Sequence, residues 1–244
     1  MRKIIKNTAL VLLFLSLSVS TALLTYLHFF ASGDRNLSGE WTANPDMTEQ
    51  AAVAAFGWLQ DIEAVSVSME ELETCMQGLT IEVSLTLEQT GRAEGSFRSS
   101  VLPESYEACN QAAYEAFAMV FRELVAERLR MAGYTGSADE EAIEALVTES
   151  FGMSTVAYLM ACGPALLPSL EELQDRYDGS GTYEAAEGLL IRQYDNGGSA
   201  VTRTEGYIRE GASLILFRED DAAPDGLFQD AYPMIYTLRE ARDE

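Results

Sequence analysis

The side chains that most often perform catalysis are scarce in this chain. Its single histidine, His28, lies within an uncharged apolar segment, so it cannot act as the base for a nucleophile elsewhere in the chain. Lys3 and Lys6 both precede that segment, which excludes Schiff-base and Ser–Lys chemistry after it. The sequence shows no G-x-S-x-G motif, no zinc-ligand spacing and no phosphate-binding glycine loop. It therefore predicts a protein that is not an enzyme and that has no metal and no cofactor.

Carboxylates are the abundant functional groups, with 39 Asp and Glu against 16 Lys and Arg and a net charge of -23. A pair of carboxyl groups can hydrolyse a glycosidic bond, so an acid-pair hydrolase stands as a third hypothesis behind the two binding hypotheses below. Asp220, Asp221 and Asp225 are close in sequence but lack the ligand spacing of a calcium loop. An acidic surface repels phosphate, and we expect no nucleic-acid partner.

Five residues of the C-terminal part are candidates for a ligand-binding interior. Aromatic walls with one or two fixed charges suit an amphipathic anionic ligand. The alternative is that the tyrosines fill a core and the arginines point to solvent. The five residues are Tyr183, Arg192, Tyr194, Arg203 and Tyr207.

Three cysteines, Cys75, Cys109 and Cys162, form no C-x-x-C motif. Each falls in a stretch with apolar residues at helical spacing. This pattern favours one disulfide, with Cys75 and Cys109 as the pair, or three buried thiols, over a metal or redox site.

The N-terminal segment 8–31 is apolar and uncharged. It is long enough for a transmembrane helix, since a bilayer core of about 30 Å takes roughly 20 residues. Arg2, Lys3 and Lys6 precede it, so the positive-inside rule predicts cytoplasmic residues 1–7 and an extracytoplasmic domain at 37–244. The alternative is a signal peptide cleaved near Ala31, which would give a secreted protein.

Eight segments have the alternating or compact apolar pattern of strands. Short separators rich in Gly, Asn and Asp, such as 187–188 and 210–211, favour tight hairpins and hence an antiparallel sheet. About eight strands suit a closed barrel. The predicted strands are 38–43, 79–88, 92–101, 182–185, 189–194, 200–208, 213–217 and 233–238.

Apolar residues at helical spacing predict six helices outside the N-terminal segment, at 47–62, 69–76, 103–133, 138–148, 155–162 and 170–177. Ser137 with Glu140, and Ser169 with Glu172, have the spacing of capping boxes. Four of the helices lie between the third and fourth strands, so residues 103–177 form a large helical insertion. The predicted fold class is α+β.

The sequence resembles a bacterial lipocalin-like, or calycin, domain. Gly39, Glu40 and Trp41 on the first predicted strand match the G-x-W signature of that family, and residues 180–183 and 207–216 resemble its strand-turn-strand segments. The resemblance implies an antiparallel barrel in which a cation, Arg239 or Arg218, stacks on Trp41.

These features lead to two principal hypotheses. In the first, the protein is a membrane-anchored extracytoplasmic binding protein whose barrel takes a small apolar or amphipathic ligand, or which binds a partner in the cell envelope. In the second, it is a protein-interaction or sensory ectodomain that acts through the helical insertion 103–177.

Overall fold

The fold is taken from a computed structural model that describes residue 21 and residues 36–60, 67–195, 201–218 and 232–239. The predicted cytoplasmic segment 1–7, almost all of the predicted anchor 8–31, and the acidic group at Asp220, Asp221 and Asp225 lie outside the described residues. Their predicted roles stay predictions.

Eight antiparallel strands form a closed barrel in which the strand order follows the sequence from β1 to β8. This confirms the predicted barrel, and its topology is consistent with a lipocalin-like fold. The strands are β1 Gly39–Ala43, β2 Val83–Gln89, β3 Glu94–Val101, β4 Gly179–Ala186, β5 Leu189–Tyr194, β6 Val201–Glu210, β7 Ser213–Arg218 and β8 Met234–Leu238.

Six helices of four or more residues occur in the part of the chain that is described, so the α+β class is confirmed. Two lie between β1 and β2, and four lie between β3 and β4, where the insertion was expected. They are α1 Thr48–Gln60, α2 Met69–Cys75, α3 Pro103–Met131, α4 Glu140–Phe151, α5 Thr155–Cys162 and α6 Leu170–Tyr177. Within these described ranges no single helix has both the length and the apolar composition to span a membrane, although the bent pair α4 and α5 meets both requirements when taken together.

Two tight turns set the register of the C-terminal strands. Ala186 pairs with Leu189, and the intervening Glu187 and Gly188 both have positive φ, as a type I′ turn requires. Gly211, with φ of 59°, begins the turn between β6 and β7. Because side chains alternate across a strand, these turns determine which residues of β4 to β7 face inward.

The chain packs as two compact units. Of the described residues, the barrel unit contains those up to Trp41, Thr86–Arg98 and those from Gly179 onwards. The helical unit contains Thr42–Leu85 and Ser99–Asp178. Strands β2 and β3 therefore contribute residues to both units.

The helical unit has its own apolar core. The fully buried ring of Phe117 contacts Trp58 edge to face, with ring centroids 5.8 Å apart. A smaller cluster joins α3 to α4 through Ala126, Ile143 and Val147. Apolar burial of this kind stabilises a helical assembly more than helix propensity does.

Helix caps confirm one predicted capping box and correct the other. Ser169 and Glu172 form the predicted box at the start of α6. At α4, however, the N-cap is Asp139, whose carboxylate accepts from the Ala142 amide, and Ser137 donates its hydroxyl to Asp139 instead. The predicted Ser137–Glu140 box is wrong because a carboxylate nearer the helix accepts the bond.

The second strand begins four residues later than predicted. The Met47 amide donates to the Leu79 carbonyl, and the Ile81 amide donates to the Pro45 carbonyl. These bonds tie residues 79–81 to the segment before α1, so that the regular strand starts at Val83.

All three cysteines are free thiols, and no bridge joins Cys75 to Cys109. Cys109 is buried, whereas Cys75 and Cys162 are exposed, so the alternative of three buried thiols also needs correction. Burial, followed by the nearby Asp46 carboxylate, raises the pKa of Cys109 to about 11. A thiol with so high a pKa is unreactive at neutral pH.

Candidate functional site

Strand pairing brings four of the predicted ligand-binding residues to adjacent inward positions. Tyr183 on β4 pairs with Arg192 on β5, and Arg192 pairs with Arg203 on β6. Tyr194 follows on the same face of β5, two residues after Arg192. The register therefore gathers aromatic and cationic side chains on one patch of the inner wall.

A buried ion pair lies at the centre of this patch. Arg192 Nε donates to Glu205 Oε2 at 2.7 Å, and Arg192 Nη2 donates to Glu205 Oε1 at 2.6 Å. Only 4% of the arginine side chain and 2% of the glutamate side chain are exposed. The two parallel bonds are the bidentate geometry that best offsets the cost of burying two charges.

Aromatic side chains surround the pair. The Arg192 guanidinium carbon lies 5.3 Å from the Phe97 ring centroid and 5.6 Å from that of Tyr194. Arg203 also stacks on Tyr194, with its guanidinium carbon 5.7 Å from the ring centroid. The Tyr232 hydroxyl donates to Glu205 Oε1. The rings of Phe97 and Tyr194 therefore help to hold the Arg192 side chain in place, since ring faces attract cations.

The surroundings shift two pKa values upward. Burial opposes the charge of Arg192, but the adjacent Glu205 carboxylate outweighs burial, and the pKa of Arg192 is above its usual value. Burial, and then Glu205, raise the pKa of Tyr232, so that its phenol stays protonated. At neutral pH the patch holds a charged guanidinium and a neutral phenol.

Tyr183 carries a buried hydroxyl that has no hydrogen-bond partner within the described chain. Its ring occupies the space that a side chain at Gly95 would fill. Burial raises the pKa of Tyr183, and the nearby Tyr207 adds to the shift. A buried hydroxyl without a partner loses roughly 1–3 kcal/mol of hydrogen-bonding free energy, which a bound polar group would restore.

Tyr207, the fifth candidate, is buried on the same face of β6, two residues beyond Glu205. Its backbone amide donates to the Gly188 carbonyl. All five candidates therefore belong to the inner wall of the barrel unit, with Arg203 and Tyr194 less buried than the other three.

The signature tryptophan has a cationic neighbour, but from a different strand than the resemblance implied. The Arg209 guanidinium carbon lies 5.5 Å from the ring centroid of the fully buried Trp41. Arg209 thus holds the position that was assigned to Arg239 or Arg218. Arg239 is half-exposed and lies 3.8 Å from the Glu40 carboxylate. It follows β8 after the last regular residue, so its side chain extends to solvent.

The backbone conformation at Gly39 explains why the signature has a glycine there. Its φ is 146°, and the Leu238 side chain occupies the place where a Cβ would lie. Trp41 is anchored by its indole N–H, which donates to the Leu37 carbonyl at 2.8 Å. Glycine suits this position because L side chains rarely adopt such a φ, and because a Cβ would also require the Leu238 side chain to move.

Sequence reasoning missed three members of the site, Phe97, Glu205 and Tyr232. Glu205 is one of 39 acidic residues, and only its place between Arg203 and Tyr207 at a spacing of two marks it as inward-facing. Tyr232 precedes the last strand, and no pattern in the sequence marked it as a residue of the site. Within the described residues, no group of three or more His, Cys, Asp or Glu side chains is placed to hold a metal ion.

Comparisons of the chain with protein-family models, with curated proteins and with solved structures found no match.

Proposed function

We propose that this protein binds a small amphipathic anion inside its barrel. The observation that carries the proposal is the charge of the inner wall. In a chain with a net charge of -23, the inward positions of β5 to β7 hold four arginines and a single glutamate. The four arginines are Arg192, Arg203, Arg209 and Arg218.

This arrangement supports a negatively charged ligand. Glu205 is paired with Arg192 by two hydrogen bonds and also lies opposite Arg218 in the strand register. Arg203 lies opposite Arg192 across β5 and β6, so two cations stand side by side on the inner wall. An anionic headgroup beside them would be attracted by both, whereas a cation would be repelled.

The remainder of the inner wall suits an apolar tail. Leucine and aromatic side chains from β3, β5, β7 and β8 are buried there, and they provide the lining that most small-molecule sites use. These residues are Phe97, Leu190, Leu214, Leu216 and Tyr236. The Tyr183 hydroxyl adds a donor for a polar group of the ligand.

The proposal includes a location. Residues 8–31 would anchor the barrel to the membrane, and residues 37–244 would lie outside the cytoplasm, where the ligand or an envelope partner is met. The support is the uncharged segment with its cationic N-terminal flank.

A fluorescent fatty acid tests whether the protein prefers a negatively charged ligand. The full chain in mild detergent is titrated with dansyl-aminoundecanoic acid and with its methyl ester, which has the same tail without the charge. We expect the acid to bind at least tenfold more tightly than the ester, since a charge-assisted hydrogen bond contributes about 1.5–3 kcal/mol. Equal binding of the two probes would refute the anionic selectivity.

Two arginine variants test where the probe binds. Arg203→Gln removes an inward cation, whereas Arg98→Gln removes an exposed cation from β3 in the same barrel unit. Affinity for the acid falls about tenfold in the first variant and stays unchanged in the second, with both melting temperatures recorded to confirm folding. Equal affinity in the two variants would move the site away from β5 and β6.

A further inference from the structure

One buried hydroxyl in the barrel unit is not explained by packing or by the ion pair. Tyr183 is 3% exposed, and its hydroxyl oxygen has no hydrogen-bond partner in the described part of the chain. Folded proteins satisfy the large majority of their buried polar atoms. This exception therefore requires a physical reason.

Packing accounts for the ring of Tyr183 but not for its oxygen. The ring lies over Gly95 of β3, whose missing side chain gives it room. On the outer wall, the ring of Phe217 lies over Gly206 in the same way. Phenylalanine fills such a place without a polar atom, so the tyrosine at position 183 buries a hydroxyl that the packing does not need.

The inward neighbours of Tyr183 offer its hydroxyl no acceptor. Along β4 they are Gly181 and Ala185, which carry no polar side-chain atom. Arg192 lies opposite in the strand register, but a guanidinium only donates hydrogen bonds, and this one is bonded to Glu205. A buried water needs about two to four polar partners, and Gly181 and Ala185 supply none.

The position of the hydroxyl indicates which part of a ligand it meets. Arg203 lies two strands away from Tyr183, or about 10 Å at the usual strand spacing of about 4.8 Å. The Tyr183 ring is turned the other way, toward β3. Burial raises the pKa of Tyr183, so its phenol is protonated at neutral pH and can donate. A ligand whose headgroup is held at Arg203 therefore meets this donor with its tail.

We propose that Tyr183 selects ligands whose tail carries a neutral acceptor oxygen, as a hydroxyl or keto group does. The ligand class is then an oxygenated acyl chain with an anionic headgroup. This inference rests on the proposed function, because it takes the headgroup to be held beside Arg203. An unsubstituted tail leaves the buried hydroxyl without a partner, and a site built to bond an oxygen discriminates against an analogue that lacks it.

Competition for bound dansyl-aminoundecanoic acid tests this selectivity in the full chain in mild detergent. The competitors are stearic acid and a hydroxystearic acid with its hydroxyl at mid-chain, and the ratio of their affinities is measured. We expect the native chain to favour the hydroxylated acid at least about tenfold more than Tyr183→Phe does, since that variant loses only the oxygen. Comparing variants cancels the different partition of the two acids into detergent. Tyr134→Phe, which changes an exposed tyrosine of the helical unit, is the control and keeps the native ratio.

The outcomes separate this inference from the proposed function. The same affinity ratio in the native chain and in Tyr183→Phe would overturn the selectivity and leave the anionic ligand in place. If neither acid displaced the probe, the proposed function would fail and this inference with it.

The melting temperature of the ligand-free protein gives a second test that needs no binding. Removing an unsatisfied hydroxyl in Tyr183→Phe should leave the melting temperature unchanged or raise it. A fall of several degrees, or a failure to fold, would show that the hydroxyl already has a partner within the protein, and would also overturn the inference.

Discussion

Each of the two units contains an arginine held by glutamate, and the two arrangements differ in exposure. In the barrel unit, Arg192 and Glu205 are almost completely buried and form two parallel hydrogen bonds. In the helical unit, Arg122 bridges Glu140, which is 72% exposed, and Glu144, which is partly exposed. Water can replace a lost partner in the second arrangement but not in the first. We therefore expect the buried pair to affect stability more than the exposed one, because solvent screens an exposed ion pair.

The largest effect is expected from breaking the buried pair. Glu205→Gln leaves the Arg192 charge buried without its counter-ion, which should lower the free energy of unfolding by about 3–5 kcal/mol. Urea denaturation measures the change. Glu140→Gln is the matched control on the exposed arrangement, and we expect it to cost less than about 1 kcal/mol. Similar losses in the two variants would contradict the comparison.

Replacing both partners should cost less than removing one. Arg192→Met with Glu205→Leu removes both charges of the pair, and the free energy of unfolding should lie within about 2 kcal/mol of that of the native chain. Tyr232 loses its acceptor in this variant, which accounts for the residual cost. If the double variant were less stable than Glu205→Gln alone, the buried pair would be a net source of stability.

Helix caps in the helical unit give a smaller, local effect. Ser169→Ala removes the capping box of α6 and should cost about 1 kcal/mol. Ser137→Ala is the control, because Ser137 does not cap α4 although it has the same sequence spacing to a glutamate. Thermal unfolding of both variants, followed by circular dichroism, gives the measurement. Equal shifts in melting temperature would mean that Ser137 has a capping role after all.

The smallest effect concerns the stability of the protein at acidic pH. The Thr155 hydroxyl, together with its amide and with Arg122, holds the pKa of Glu144 below its usual value. A lowered folded-state pKa gives stability that is present above the unfolded carboxyl pKa of about 4.3 and is lost as the pH falls through the folded value. Stability measured between pH 5 and pH 3 should therefore fall less steeply in Glu144→Gln than in the native chain. An identical slope would mean that the pKa of Glu144 is the same in the folded and the unfolded protein.

Most of the fold could be predicted because its signals are local. The strand 189–194 and the helices 155–162 and 170–177 were predicted with the bounds that the structure gives. Their ends are marked by turn glycines and by capping serines, which act within a few residues. The start of β2 was displaced because backbone bonds to the segment near Pro45 replace the sheet there, and such contacts are invisible in a local pattern.

The candidate site could be predicted in part. The candidates were chosen for their chemistry. Arg192 with Tyr194, and Arg203 with Tyr207, also lie an even number of residues apart, so each pair shares one face of its strand. Glu205 and Tyr232 could not be selected, because their importance arises from the diagonal contact with Arg192 and from a segment that returns to it. The cation over Trp41 was misassigned for the same reason, since the packing of separate strands decides which arginine reaches the ring.

Gly206 and Phe217 face each other across β6 and β7, and the phenyl ring fills the space that any side chain at position 206 would need. A side chain at position 206 would require the Phe217 ring to move, and a smaller residue at position 217 would uncover the Gly206 backbone. Related sequences are therefore expected to exchange the two positions together, with a smaller residue at 217 whenever 206 gains a side chain. Such co-variation in related sequences would reflect the contact between these two strands.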